Sequence, residues 1–234
     1  KQITGGYKEY RVYVNQKLEE LAHHKLLVLH GRTGSGKTEV IEYLKEQNEA
    51  VIDLEALARH RGSAFGDLAQ RKAPINQQNF ENKLSEVYEK YTKNPVILLE
   101  IETIIGPILL PQKLRQAILA APMVHLQRNY QDRVKALTKI YTENWDKKSE
   151  NLFNEKILLL KKFLSRDHYQ KIISSVEKKD FPIAINILLK ERYDKTYDKS
   201  LKKKSQQFIA EFNLSTEKKE LIFFLREQLN KSLS

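Results

Sequence analysis

Gly31-Arg32-Thr33-Gly34-Ser35-Gly36-Lys37-Thr38 satisfies G-x-x-x-x-G-K-[ST], the pattern of a phosphate-binding loop. The apolar, β-prone run Leu26-Leu27-Val28-Leu29 precedes it, and Glu39-Val40-Ile41-Glu42-Tyr43-Leu44, spaced for a helix, follows. Strand, loop and helix thus come in the order the motif needs. Glycines at 31, 34 and 36 permit backbone conformations closed to other residues, so successive N–H groups can turn toward one anion. The helix adds its positive N-terminal end. Lys37 is placed to reach terminal phosphates, and the Thr38 hydroxyl to bind Mg²⁺ where a metal accompanies them. The plainer reading, a glycine turn before an ordinary helix, is disfavoured by the full match and its flanks. All eight residues from Gly31 to Thr38 are therefore expected to line a polyphosphate.

Working outward, Ala50-Val51-Ile52-Asp53-Leu54 reads as a second strand, with Asp53 at its carboxyl end as a further candidate for Mg²⁺. The polar, basic stretch Ala58-Arg59-His60-Arg61-Gly62-Ser63-Ala64-Phe65-Gly66 sits where α/β proteins place substrate loops. Arg59 and Arg61 suit a second anionic group, because guanidinium pairs with phosphate oxygens bidentately; His60, Gly62 and Ser63 join them as substrate-loop candidates. A solvated loop with incidental charge is the alternative. A helix through Phe80, Leu84, Val87 and Tyr91 leads to Val96-Ile97-Leu98-Leu99-Glu100, a continuous apolar run that marks a buried parallel strand. Its terminal carboxylate stands where phosphate-loop proteins keep the acid that holds Mg²⁺ or activates a nucleophile. Glu100 and Glu102, two apart on an extended chain, face the same side.

Ile104 to Leu110 reads as a short excursion around Gly106-Pro107, followed by a helix through Leu114 and Ile118 and a strand Met123-Val124-His125-Leu126. His125 is expected to be a packed strand residue rather than a ligand. Arg128 and Arg133 flank the start of a helix through Tyr130, Val134, Leu137 and Tyr141. Either they close over bound phosphates or they are ordinary helix-surface arginines. Beyond residue 150 the apolar residues keep helical spacing only, ending in two helices, one through Phe208, Ile209 and Phe212 and one through Leu221, Phe224 and Leu225, with Ser215 as N-cap of the last. The expected architecture is α/β: a P-loop NTPase-like parallel sheet flanked by helices, then a basic all-helical C-terminal region. The divisions are a lead-in over 1–24, the α/β domain over 25–149 and the helical region over 150–234.

Of 234 residues, 41% are hydrophobic, which supports a proper core; Lys and Arg number 41 against 30 Asp and Glu, a net charge of +11. Residues 151–234 hold 18 Lys and Arg against 11 Asp and Glu, a surplus of +7, with tyrosines at 169, 193 and 197 that could stack on exposed bases. A solvated lysine face is the alternative. Cysteine is absent, which excludes disulfides, thiolate metal sites and a cysteine nucleophile within this chain. No apolar run reaches the ~20 residues of a membrane span, so no membrane partner and a cytoplasmic location are expected. The chain opens on Lys1 and its one methionine is Met123, so a preceding tag or domain is expected too.

Taken together, the loop, Asp53-Leu54-Glu55, the stretch 58–66, Phe80-Glu81 and the strand ending Glu100-Ile101-Glu102 before Gly106 resemble the P-loop part of tRNA 2-selenouridine synthases. Gly5-Gly6-Tyr7-Lys8, Tyr193-Asp194 and Tyr197 extend the likeness over nearly the whole chain, although the family tends to carry a proline where Lys195 stands. The resemblance implies tRNA, through its anticodon arm, as partner. It implies geranyl diphosphate and selenophosphate as co-substrates, and conversion of wobble 2-thiouridine to 2-selenouridine through an S-geranylated intermediate. It also implies a rhodanese domain with a catalytic cysteine, fused or separate, without which this chain is expected to fail at selenium transfer. In that setting Lys37, the loop amides and Arg59 or Arg61 would stabilise the departing diphosphate, and Glu100 or Glu102 would position Mg²⁺ or act as base. Two rivals stand: a small-molecule kinase using ATP, and a non-catalytic tRNA-binding module whose loop only binds phosphate.

Overall fold

The apolar run ahead of the phosphate loop becomes the centre of a parallel sheet. In the computed structural model, which describes residues 6–60, 65, 68, 75–100, 104–201 and 208–231, with backbone alone at 104 and 199–201, β1 (Leu26–Gly31) lies between β3 (Ile97–Glu100) and β6 (Met123–Gln127). With β2 (Val51–Ile52) and β7 (Phe208–Asn213) the order is β2-β3-β1-β6-β7, every pair parallel. Each residue of β1 is buried, as expected of a strand covered on both faces. The chain passes from β1 to β2 over the place that β3 later fills, which puts the phosphate loop at the carboxyl ends where the strand order reverses.

Helices cover both faces. On one, α1 (Gly6–His23), α4 (Gln77–Glu89) and α5 (Gln112–Ala120) bury Val14, Leu18, Phe80, Leu84, Leu114 and Ile118 against the sheet. On the other, α2 (Lys37–Glu46) and α11 (Lys218–Asn230) bury Ile41, Leu44, Leu221 and Leu225. Between β2 and α4 lies the short α3 (Leu54–Ala58); β4 (Ile104–Ile105) and β5 (Ile108–Leu109) form a small antiparallel pair turning at Gly106. The expected excursion is thus a hairpin.

A helical layer follows: α6 (Tyr130–Thr142), α7 (Lys147–Leu160), α8 (Arg166–Glu177), α9 (Phe181–Leu188) and α10 (Asp194–Leu201). Its starts are written locally: Asp146 accepts from Ser149 N at 2.7 Å and Ser165 from His168 N at 3.1 Å. Phe153, Ile157, Ile172 and Leu188 form its core, and Val134 and Leu137 of α6 pack on Ile185 and Leu189. A π-helical turn, Leu189–Tyr193, joins α9 to α10. Among the described residues no helix is long and apolar enough to cross a membrane.

The parallel sheet flanked by helices matches the expected class, with one correction. Phe208 to Asn213 is not a helix but β7, the fifth strand, pairing with β6 from Phe208↔Met123 to Asn213↔Gln127. A register shift between Met123 and Val124 breaks the alternation of faces, and the apolar residues at 208, 209 and 212 then imitate helical spacing. Nor does Ser215 cap the last helix. It lies in the turn before α11, where its hydroxyl donates to Asp132 Oδ2 at 2.5 Å and accepts from Asn129 N at 3.2 Å. Because α11 seals one face of the sheet, Leu225→Ala is expected to cost about 2–5 kcal/mol in urea denaturation, whereas truncating the exposed Phe223 should change stability by no more than about 0.5 kcal/mol.

Candidate functional site

The phosphate loop is shaped by contacts that only glycine permits. Gly34 and Gly36 have φ of 80° and 95°, in the left-handed region that side chains resist. A Cβ on Gly31 would come within 2.5 Å of both Leu126 O and Ser35 Oγ. Ser35 N donates to Arg32 O at 3.0 Å, and Lys37 Nζ spans the loop to Gly31 O at 3.1 Å. A phosphate oxygen is a stronger acceptor for that ammonium than a carbonyl. Ser35 Oγ is buried with no hydrogen-bond partner among the described residues. Thr38 opens the first turn of α2, whose N-terminus faces the loop.

From residues 33–38 a cleft of about 780 Å³ opens toward α6, within the size range of small-molecule sites. Its α6 wall mixes charge, from Asp132, Lys135 and Lys139, with an apolar strip of Leu137, Ile140 and Tyr141. At one rim Glu39 meets Arg128 Nη1 at 3.3 Å and Lys218 Nζ at 2.8 Å. Burial alone would raise the Glu39 carboxyl, but Lys218 and Arg128 together hold it below the ordinary range.

The two candidate arginines separate. Arg128 lines the cleft, as a phosphate-covering residue must. Arg133 does not cover phosphate: it is 3% exposed, its Nε donates to Thr33 O at 3.0 Å, and its two terminal nitrogens grip Asp194 at 3.0 and 2.6 Å. It is neither a lid nor a helix-surface arginine; it holds the loop from behind. Arg32 likewise turns away from the loop's interior, pairing with Asp198 at 2.5 Å and Asp194 at 3.4 Å and standing over the Tyr197 ring.

Other candidates are placed as follows. Glu100 ends β3 beside Leu29 of β1 and is fully buried, on the same side of the sheet as Leu98 and the α2 core. Asp53 caps α3, accepting from Ala56 N at 2.8 Å, so that carboxylate already has a structural task. Arg59 adopts a left-handed conformation, φ 52°, at the end of α3. His60 is buried against the Gly106 turn, where an added Cβ would lie 2.6 Å from its ring. Arg61, Gly62, Ser63 and Glu102 lie outside the described residues. Among the described residues no three His, Asp or Glu side chains gather as a metal site, but the Thr38 hydroxyl and Glu100 carboxylate are hard oxygen donors of the kind Mg²⁺ prefers.

Two of the tyrosines proposed to stack on bases are committed elsewhere. The Tyr197 hydroxyl bonds His30 Nδ1 at 2.7 Å and His125 Nε2 at 3.0 Å, and burial pushes it well above its ordinary pKa. Tyr193 packs into the helical core. His125 is the packed strand residue expected, stacked 4.8 Å from Phe208 and bonded to Glu211 at 2.6 Å. Sequence reasoning did not assign roles to Asp194, Asp198 and Lys218 or to Leu214, whose Cδ2 lies 2.3 Å from where a Cβ of Gly36 would stand. The available signal was the family likeness at Tyr193-Asp194, which gives Asp194 no role.

Comparison with known proteins finds one family. A family model described as the tRNA 2-selenouridine synthase AAA domain matches residues 24–232. A protein named tRNA 2-selenouridine synthase from Shewanella denitrificans is 34% identical over 235 residues, covering 88% of this chain and 62% of its own length. Relatives of the same name from Marinobacter nauticus (28% identity; 89% of this chain, 63% of the relative) and Cupriavidus pinatubonensis (40%; 59% and 37%) are also similar. The chain thus spans less than two thirds of the length of these relatives.

Two outcomes test the geometry. Arg133→Met leaves the part-buried Asp194 without its bidentate partner, though still beside Arg32 at 3.4 Å, and is expected to destabilise by about 2–4 kcal/mol; adding Asp194→Leu should restore part of that loss in urea denaturation, and strictly additive losses would contradict the coupling. Since the folded Glu39 pKa lies below its ordinary 4.5, its contribution is present above that pH and is lost as pH falls through the lower folded value. Lys218→Met should therefore flatten the acid limb of stability against pH.

Proposed function

The chain belongs to the tRNA 2-selenouridine synthase AAA domain family, and from that premise we propose that its phosphate loop binds the diphosphate of geranyl diphosphate for S-geranylation of wobble 2-thiouridine in tRNA. In that reaction the thiocarbonyl sulfur attacks the allylic carbon of the donor and the carbon–oxygen bond breaks. The electron pair leaves with diphosphate, and the nucleobase gives up its N3 proton. Negative charge grows on the leaving group, so the chemistry calls for fixed positive partners around a diphosphate. Lys37, the loop amides and the α2 N-terminus supply them. Arg128 at the cleft rim is the arginine available to join them, with Arg59 from the neighbouring loop. Thr38 and Glu100 would hold Mg²⁺, which when bound would neutralise part of the diphosphate charge.

The observation that carries this reading is the cleft itself: a phosphate loop whose facing wall carries, among its charged side chains, the apolar strip Leu137, Ile140 and Tyr141 suits a diphosphate ester with a hydrocarbon group. The kinase alternative loses one of its two lid arginines, since Arg133 is held by Asp194.

The tRNA itself would be met by the basic helical layer. There Phe163 is 49% exposed, with Lys162 Nζ 5.1 Å and the Arg192 guanidinium 4.5 Å from its ring centre. Such a cationic aromatic surface suits an unpaired base and its phosphates. Exchange of the geranylthio group for selenium from selenophosphate then falls to a cysteine-bearing rhodanese domain or partner, as this chain has no cysteine, and a cytoplasmic location is part of the same reading.

Calorimetric titration with geranyl diphosphate and, separately, Mg-ATP tests the assignment. Geranyl diphosphate is expected to bind more tightly, and Lys37→Ala to abolish that binding and geranylation while leaving tRNA affinity within about twofold, one phosphate-loop charge being a small part of a large basic surface. Preference for Mg-ATP would overturn the assignment.

A further inference from the structure

Behind Thr33 the helical layer leaves a second space. It is an apolar chamber of about 30 Å³, walled by side chains that include Leu137, Tyr141, Trp145, Phe153, Phe181 and Leu188, and it presents only apolar surface. Thr33, Leu137 and Tyr141 line both this chamber and the cleft of the phosphate loop. Leu137 stands at the loop end of this shared wall: its Cδ1 lies 2.9 Å from where a Cβ of Gly34 would stand. Tyr141 is one helical turn further, about 6 Å along α6, and Trp145 follows at the chamber. Trp145 meets Phe181 edge-on at 4.7 Å and Phe153 at 5.9 Å, and Phe153 stacks on Phe65 at 5.2 Å.

On the reading that the loop holds a diphosphate, we infer that the hydrocarbon tail of its ester runs along Leu137 and Tyr141 and ends in the aromatic chamber at Trp145. Three features carry this. The chamber offers no polar partner, so it cannot serve a nucleobase or a ribose, whose buried donors and acceptors would go unmet. Apolar cavities of this kind stay dry and take hydrocarbon. Its volume of about 30 Å³ fits a chain end rather than a whole tail, and the cleft of about 780 Å³ takes the remainder. Specificity for tail length then comes from how far the tail reaches past Tyr141. Each methylene buried tightens binding by about fourfold.

Trp145 is the one tryptophan of the chain, so its emission reports the chamber directly. The whole chain is titrated with inorganic diphosphate, dimethylallyl diphosphate and geranyl diphosphate, following heat and tryptophan emission together. Inorganic diphosphate should bind through Lys37 without changing emission. Geranyl diphosphate should shift emission and bind more tightly than the dimethylallyl compound, its five further carbons giving on the order of 1,000-fold. Ala184→Phe, which fills the chamber, should remove most of the preference for geranyl over inorganic diphosphate while leaving the latter's affinity unchanged. Phe153→Leu, which enlarges it, should move the preference toward the longer farnesyl diphosphate. Lys37-dependent binding of geranyl diphosphate with silent Trp145 emission and no effect of either variant would overturn the tail site while sparing the loop assignment. Failure of every diphosphate to bind would overturn both.

Discussion

A buried guanidinium holds the site in shape. Arg133, from α6, bonds the Thr33 carbonyl in the phosphate loop and both oxygens of Asp194 at the start of α10. A charge so enclosed is tolerable only when paired in good geometry, so α6, α10 and the loop cannot be placed independently. Arg32 repeats the link from the loop side through Asp194 and Asp198. The bidentate pair has directional demands that a lysine could not meet. A phosphate loop needs its amides aimed before ligand arrives, and these two arginines take much of that aiming out of the loop's own short backbone.

The same dependence runs through the end of the chain. β7 pairs with β6 at the sheet edge, Leu214 closes on Gly36 and Lys218 pairs with Glu39. Residues far along the sequence thereby finish a site begun at Gly31. Tyr197 adds a third connection, bonding His30 of β1 and His125 of β6 from α10. The helical layer is consequently fastened to the sheet by polar contacts around the loop, while its own core of Phe153, Ile157 and Ile172 remains separate from the two cores of the sheet.

On the reading proposed above, the site divides between the two ends of a diphosphate ester. Polar atoms gather at the carboxyl ends of the strands, where the helix N-terminus and Lys37 face the cleft; apolar side chains of α6, interspersed with Asp132, Lys135 and Lys139, line it beyond them. The head and tail of such a ligand thus meet different surfaces on either side of Leu137. Further exposed charge lies on the outer helical layer around Lys161, Lys162 and Arg192, suited to a partner much larger than the cleft.

Local chemistry made the loop, the strands at 26–31, 97–100 and 123–127 and the helices between them readable from the amino-acid sequence, because each is specified by a motif or a hydrophobic period within about a dozen residues. Sequence also determined the absence of cysteine chemistry and the family likeness. Where local pattern conflicted with context, it misled: Phe208, Ile209 and Phe212 fit a helix until the bulge at the β6 edge is known, and Arg133 reads as a lid arginine until Asp194, 61 positions later, is brought beside it. Strand β7, the clamp behind the loop and the chamber at Trp145 were decided only by tertiary structure, since each depends on pairing between segments distant in the chain. The free energy of that pairing lies in burial and hydrogen bonding across elements, which no local window of sequence contains.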